Sequence, residues 1–295
     1  MFSKLILFTF SLVVMFSLFV KKPKISTDLD VELQNHPLAI SGTIPTWLSG
    51  TLIRNGPVNV TLDDQKNQHW FDGLAMLHAF SFHDGQVTYS NRFLRTDAYQ
   101  TVFEEGSLNY GGFAADPCRS GFKSFFTWFL PRSKIDLPNA NVNVAKIAEQ
   151  YVALTETPLP IHFDLKTLAT VGVLDYQDTL PHGECWESAH PHHDSRRGET
   201  LSYLIEYGET SYYVLYRIKD GSSQREVIAK IPVQEPAYMH SFAVTENYVV
   251  FTEFPLIVNP QTLLSNEQSF IKNFRWEPQR GTQFLLVNRH DGQLV

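Results

Sequence analysis

Cysteine is nearly absent, with Cys118 and Cys185 the only two in 295 residues. Two thiols exclude the disulfide framework that staples small secreted domains, and without a C-x-x-C spacing they exclude a thiolate-built metal site. Charge is sparse as well. Only 19% of residues are charged, and no long Lys/Arg run occurs in a chain of formal net charge -7. A nucleic-acid surface needs clustered cations to displace counterions, so nucleic acid is excluded as a partner. Sustained helical periodicity is missing beyond about residue 35, which excludes the strand-helix alternation of an α/β fold.

Long apolar runs are absent with one exception, Leu5 to Val20, which lies between Lys4 and the lysines Lys21, Lys22 and Lys24. It fits the core of a signal peptide, but no A-x-A site follows, and three lysines directly after it oppose translocation of the next residues. It is also short for a bilayer span. Residues 1–24 are therefore expected to be a hydrophobic membrane-anchor or signal-like segment, uncleaved, ahead of a folded domain over residues 30–295.

What is present is β-structure. The chain is 43% hydrophobic and 13% aromatic, enough to bury a sizeable core. Alternating runs meet at turn residues: "MLHAFSFHDGQVTYSNRFL" at Asp84-Gly85, "YYVLYRIKDGSSQREVIAKIPV" at Asp220-Gly221, and "TQFLLVNRHDGQLV" at Asp291-Gly292. "IHFDLKTLATVGVLDY" and "SFAVTENYVVFTEFPL" read as two more hairpins, turned at Lys166-Thr167 and Glu246-Asn247. Serial hairpins point to an all-β sandwich, barrel or β-propeller, and their sheer number favours the propeller. The last hairpin has only Gln293 to Val295 for its return strand, so the sequence is expected to be the N-terminal portion of a longer protein, with the propeller incomplete at its C-terminus.

Eleven histidines are the candidate chemistry. His78 and His162 fall in strands, His83 and His290 in turns, and His36 in a polar leader, where a structural role suffices. "AHPHHD" sets His190, His192 and His193 within four positions, in what reads as a solvated loop with Arg196 and Arg197. Such loops also bind metals adventitiously. His240, in "EPAYMHSFAVTENYVVFTEFP", directly precedes a strongly β-patterned pair, a position from which a propeller blade reaches the central axis. Imidazoles without thiolates suit iron, copper, zinc or nickel. A metal-bound imidazole needs its other nitrogen held by an acceptor, and Glu156, at a strand-to-turn junction, is a candidate carboxylate for it.

Six blocks, in order, resemble the carotenoid cleavage oxygenases: "SGTIPTWLSGTLIRNGP", "HWFDGLAMLHAFSF", "RFLRTDAY", "NANV", "AHPHHD" and "MHSFAVTENYVVFTE". "DPCRSGFKSFFTWF" is similar to the animal branch containing the β-carotene oxygenases and the retinoid isomerase of the eye. The resemblance implies a seven-bladed β-propeller with a helical cap, and a single non-haem Fe(II) held by four histidines, three of them oriented by glutamates. Carried over by motif, His190 and His240 are metal ligands and Glu156 orients His240, leaving His192 and His193 as loop neighbours. The third and fourth ligands of relatives lie beyond the last residue of this sequence. The implied reaction is cleavage of a conjugated double bond in a lipophilic carotenoid or apocarotenoid by O2, giving carbonyl products. Retinoid isomerohydrolysis, or a non-catalytic propeller binding carotenoid or a protein partner, are the alternatives.

In "GFKSFFTWFLP", Phe122, Phe125, Phe126 and Phe129 recur at i, i+3, i+4 and i+7 with Trp128 beside them. A core helix shows the same spacing. The resemblance makes this segment a membrane face at the substrate entrance, so membrane association is expected from two separate segments.

Overall fold

In the hairpin centred on Asp84-Gly85, both turn residues have positive φ (52° and 72°), the conformation of the tight turn whose twist matches its flanking strands. Leu74–His83 and Gln86–Phe93 therefore pair antiparallel from Met76 opposite Phe93 to His83 opposite Gln86. Ala148 and Glu149, also both at positive φ (49° and 62°), turn the hairpin of Asn143–Ile147 and Gln150–Leu154, and Gly221 and Gly292 each supply one such residue to their turns. The computed structural model describes residues 24–29, 31–108, 110, 113–114, 137–181, 185–264 and 269–295. The run Leu5 to Val20 and the aromatic segment Phe122 to Phe129 lie outside the described residues. Among those residues, no helix is long and apolar enough to cross a membrane.

Successive stretches of chain build successive sheets. His36–Pro37, Gln86–Phe93, Leu74–His83 and Gly50–Val58 form a four-stranded sheet in that spatial order. Asn143–Ile147, Gln150–Leu154, Ile161–Phe163 and Thr170–Val173 form the next, each strand beside its sequence neighbour. Cys185–Glu187, Glu199–Glu206, Ser211–Lys219 and Glu226–Val233 form the third, and His192–Asp194 also pairs with Glu199–Glu206. Ala243–Val244, Tyr248–Glu253 and Gln283–Asn288 make a fourth. A small sheet joins Ile25–Thr27 to Val60–Leu62 and Gln65–Lys66, so pairing already starts at Ile25. Four of the five expected hairpins form as paired strands, and at the fifth, Asp291-Gly292, a single isolated bridge joins Leu294 to Val287. No sheet closes on itself among the described residues.

Apolar cores lie between consecutive sheets. Leu77 and Ala79 meet Ala153, Ile161 and Phe163. Val152 and Leu154 meet Leu204, Val214 and Tyr216. Leu201, Tyr203 and Ile205 meet Val249, Phe251 and Val287. The strand Glu199–Glu206 is covered on both faces, which explains its unbroken apolar run from Leu201 to Ile205 apart from Ser202. Each such side chain stabilises the stack by about 1.5–3 kcal/mol relative to exposure. Among the described residues, helix is confined to short pieces, chiefly Asp97–Phe103, started by Thr96, whose hydroxyl accepts from the Tyr99 amide at 3.3 Å.

Candidate metal centre

The two histidines sit where ladders stop. His190 follows the strand Cys185–Glu187 after Ser188 and Ala189, and His240 lies between the isolated bridge at Ala237 and the strand Ala243–Val244. Glu156 stands two positions past the strand Gln150–Leu154. Neighbouring strands fix these irregular segments: the Ser188 amide donates to the Tyr203 carbonyl (3.1 Å), and the buried Tyr203 hydroxyl donates to the Met239 carbonyl. Asn139, Asn141 and Asn143, at alternate positions, lock the rest. Asn139 and Asn141 donate to the Gly73 carbonyl at 2.8 Å, Asn141 also to Phe71, and Asn143 to Ala189 at 2.9 Å. Gly73 is obligatory there, because a Cβ would meet Pro57 Cβ at 2.8 Å and the Val58 carbonyl oxygen at 2.9 Å.

His190 Nε2 and His240 Nε2 stand 2.9 Å apart, with ring centres 4.5 Å apart and planes at 67°. Two readings of this contact are distinguishable by geometry. Imidazole nitrogens bound about 2.1 Å from one ion at a right angle stand about 3.0 Å apart with ring centres about 4.6 Å apart, whereas a linear N–H···N bond of that length separates the centres by about 5.2 Å. The observed 4.5 Å matches convergence on a shared point. The donor set therefore fits a divalent ion at two of its positions. Among the described residues, no three histidine, cysteine or carboxylate side chains gather as a metal site.

Glu156 Oε1 accepts from His240 Nδ1 at 2.7 Å, leaving the lone pair of Nε2 to face the metal position. This hydrogen bond holds the His240 pKa above its ordinary value, against the opposing effect of burial. Burial first, and then the charge of His240, depress the pKa of His190, which favours the neutral ligating form. Asn143 Nδ2 lies 3.4 Å from His190 Nδ1, the far limit of a hydrogen bond, and no carboxylate reaches the His190 ring among the described residues.

The rest of the triplet behaves differently from a solvated loop. His192–Asp194 is a strand, because Arg289, 2% exposed, reaches Asp194 at 2.9 Å and Glu199 at 2.7 Å and draws the segment onto the sheet. His192 turns toward the Phe242 carbonyl, and His193 turns outward to Asp220 at 3.1 Å. The strand leading into His190 is held by a buried charge cluster, in which Arg225 bonds Asp178 at 2.8 and 3.0 Å and Glu187 at 3.3 Å over the face of Tyr176.

Sequence reasoning missed Tyr238, whose hydroxyl donates to the same Glu156 oxygen at 2.8 Å. Burial, with the Glu156 charge behind it, pushes its pKa upward and keeps it a donor. The signal was available: Tyr238 precedes His240 by two, the spacing of one face of an extended chain. Phe71 also went unassigned, and its ring lies parallel to His240 (14°) at 6.3 Å. Both Glu156 and His240 border a cavity of about 780 Å³ whose wall includes Phe71, Phe113, Trp186 and Phe270. That size and lining are typical of a small-molecule site.

Fold and site together define a class: an all-β protein of serial antiparallel sheets, with a convergent histidine pair beside a cavity of mixed polar and aromatic lining. Residues 26–295 match the family described as retinal pigment epithelial membrane protein, RPE65, and the chain belongs to this family of carotenoid cleavage oxygenases. It is 33% identical over 257 residues to the beta,beta-carotene 15,15'-dioxygenase of Gallus gallus, covering 80% of this chain and 48% of that one. It is 34% identical over 284 residues to the chloroplastic carotenoid cleavage dioxygenase 8 of Arabidopsis thaliana, covering 91% of this chain and 49% of the relative. The chain thus spans about half the length of the curated relatives it matches. Among solved structures, the cobalt-substituted Synechocystis apocarotenoid oxygenase superposes with TM-score 0.68 at 25% identity, over 92% of this chain and 55% of that one. A chimera of that oxygenase with RPE65 gives TM-score 0.70 at 25% identity, over 92% and 55%.

Proposed function

We propose that this chain supplies half of the metal site and part of the substrate cavity of a non-haem Fe(II) oxygenase, which splits a conjugated double bond of a carotenoid or apocarotenoid into two carbonyl products. Its scaffold in this reading is a seven-bladed β-propeller with a helical cap. The observation that carries it is the convergent Nε2 pair of His190 and His240, with Glu156 on the far nitrogen of His240, beside an aromatic-lined cavity.

When bound, Fe(II) supplies a cation with open positions for dioxygen and access to electron transfer. The residues of the chain do the rest. His190 and His240 bind through Nε2 as neutral imidazoles. Glu156 keeps the proton of His240 on Nδ1 and fixes the ring plane, and Tyr238 shares that carboxylate oxygen. Phe71, Phe113 and Phe270 present apolar walls that exclude water and hold a rigid polyene in one track, so that one double bond is set near the histidine pair. Membrane association belongs to the same reading: a substrate that dissolves in lipid is met by Leu5 to Val20 and by Phe122, Phe125, Phe126, Trp128 and Phe129.

Incubation with carotenoids, apocarotenoids and a retinoid ester under 18O2, followed by mass spectrometry, tests the reaction. Two carbonyl products carrying the label are expected. An unlabelled, isomerised alcohol would replace this reading with isomerohydrolysis.

A further inference from the structure

Side chains that touch neither free nitrogen join the two histidine segments. Ser188 is buried, and its hydroxyl donates to the His240 carbonyl at 3.2 Å while accepting from the His190 amide at 3.2 Å. One hydroxyl thus holds the backbone of both histidines. On the other side, His192 Nε2 lies 3.0 Å from the Phe242 carbonyl. A carbonyl only accepts, so this nitrogen carries the proton and donates. The His192 ring also stands edge-on to Phe242, with centres 4.7 Å apart at 72°.

Positions 188, 190 and 192 therefore meet 240 and 242 in step, with the convergent nitrogens in the middle and a hydrogen bond on either side. Backbone pairing does not supply this registration. Residues 188–191 and 238–242 are in no strand, and no ladder connects them. Neighbouring strands anchor each segment separately, and the direct links between the two segments are made by side chains, yet a ligand constellation works only within about 0.5 Å of its required geometry.

We propose that Ser188 and His192 are positioning residues that set the separation of the His190 and His240 nitrogens and thereby the affinity and symmetry of the metal site, an inference that rests on reading the pair as ligands. Neither residue touches the metal position, and both act through the backbone of the segment that carries the partner ligand.

Anaerobic Co(II) titration of the full chain, read by the visible absorption of the bound ion and by its dissociation constant, tests this with thermal melting recorded in parallel. Ser188→Ala and His192→Phe, the latter keeping a ring against Phe242, are each expected to weaken binding by about tenfold or more and to move the absorption bands. Ser188→Thr keeps a hydroxyl and His192→Gln keeps an N–H donor, so both are expected to restore the wild-type spectrum. A loss of melting temperature without any change in bands or affinity would reduce the two residues to ordinary packing and overturn the proposal. Should Ser188→Ala fail to fold, His192→Phe carries the test alone. The underlying reading has its own control: if wild-type protein binds Co(II) no better than His190→Ala, the histidine pair is not a metal site and the positioning role falls with it.

Discussion

Replacing Glu156 by Gln changes one atom at the point where the site is held. The carboxylate oxygen that accepts from His240 Nδ1 at 2.7 Å also accepts from Tyr238 at 2.8 Å. Glutamine can keep an acceptor there, but without charge, and bonds to an ionised partner are roughly twice as strong as neutral ones. No good substitute stands nearby, since the Tyr238 hydroxyl is 3.3 Å from the same His240 nitrogen and is already donating to Glu156. Removing the partner of a ligating histidine costs about 10- to 100-fold in metal affinity. Glu156→Gln belongs near the tenfold end, about 1.4 kcal/mol, and Glu156→Ala near the hundredfold end, about 2.7 kcal/mol. Tyr238→Phe removes a competitor for the oxygen and should cost less than Glu156→Gln. Anaerobic Fe(II) or Co(II) titration by calorimetry reads all three. Equal affinities for wild type and Glu156→Ala would refute the role given to this carboxylate.

Other consequences are independent of the metal. Burial pushes the Glu187 carboxyl up to about 7 despite the neighbouring Arg225, while bonds from Arg225 hold Asp178 below its ordinary range. A raised carboxyl pKa means that the folded chain keeps a proton which the unfolded chain releases, so stability falls as pH rises from about 4.5 to about 7, by at most about 1.4 kcal/mol per pH unit. Denaturant unfolding of wild type and Glu187→Gln across that window should show a difference that grows with pH, and a constant difference would refute it. Phe251, fully buried between the third and fourth sheets, should cost about 3–5 kcal/mol as Phe251→Ala by the same unfolding measurement. Arg289→Met removes the cation that Asp194 and Glu199 share and leaves them only the more distant Arg197 and Arg217, each at 3.9 Å, so a lower denaturant midpoint is expected, and an unchanged midpoint would refute the anchoring role.

The turns were legible in the sequence because their chemistry is local: Asp84, Gly85 and Gly292 adopt positive φ, which few residues supply. His240 and Glu156 stood out as candidates by their positions beside β-patterned runs, whereas His190 was singled out from its triplet only through the family blocks, since composition and spacing leave that triplet looking like a solvated loop. Ser188 and Tyr238 escaped notice because their partners, the His240 carbonyl and Glu156, lie 52 and 82 positions away. Hydroxyls are ordinary in such positions, and the only local mark on either is the two-residue spacing of Tyr238 from His240. The strand made by His192–Asp194 was hidden for the same reason, its anchor Arg289 being contributed by the fourth sheet.

The most direct measurement is metal content after anaerobic reconstitution of the full chain with Fe(II), comparing wild type with His190→Ala and His240→Ala. Convergence of the two nitrogens on one ion predicts iron bound by wild type and lost from both variants, with each variant still folded by circular dichroism. Iron retained at the wild-type level by both variants would contradict a metal centre at this pair.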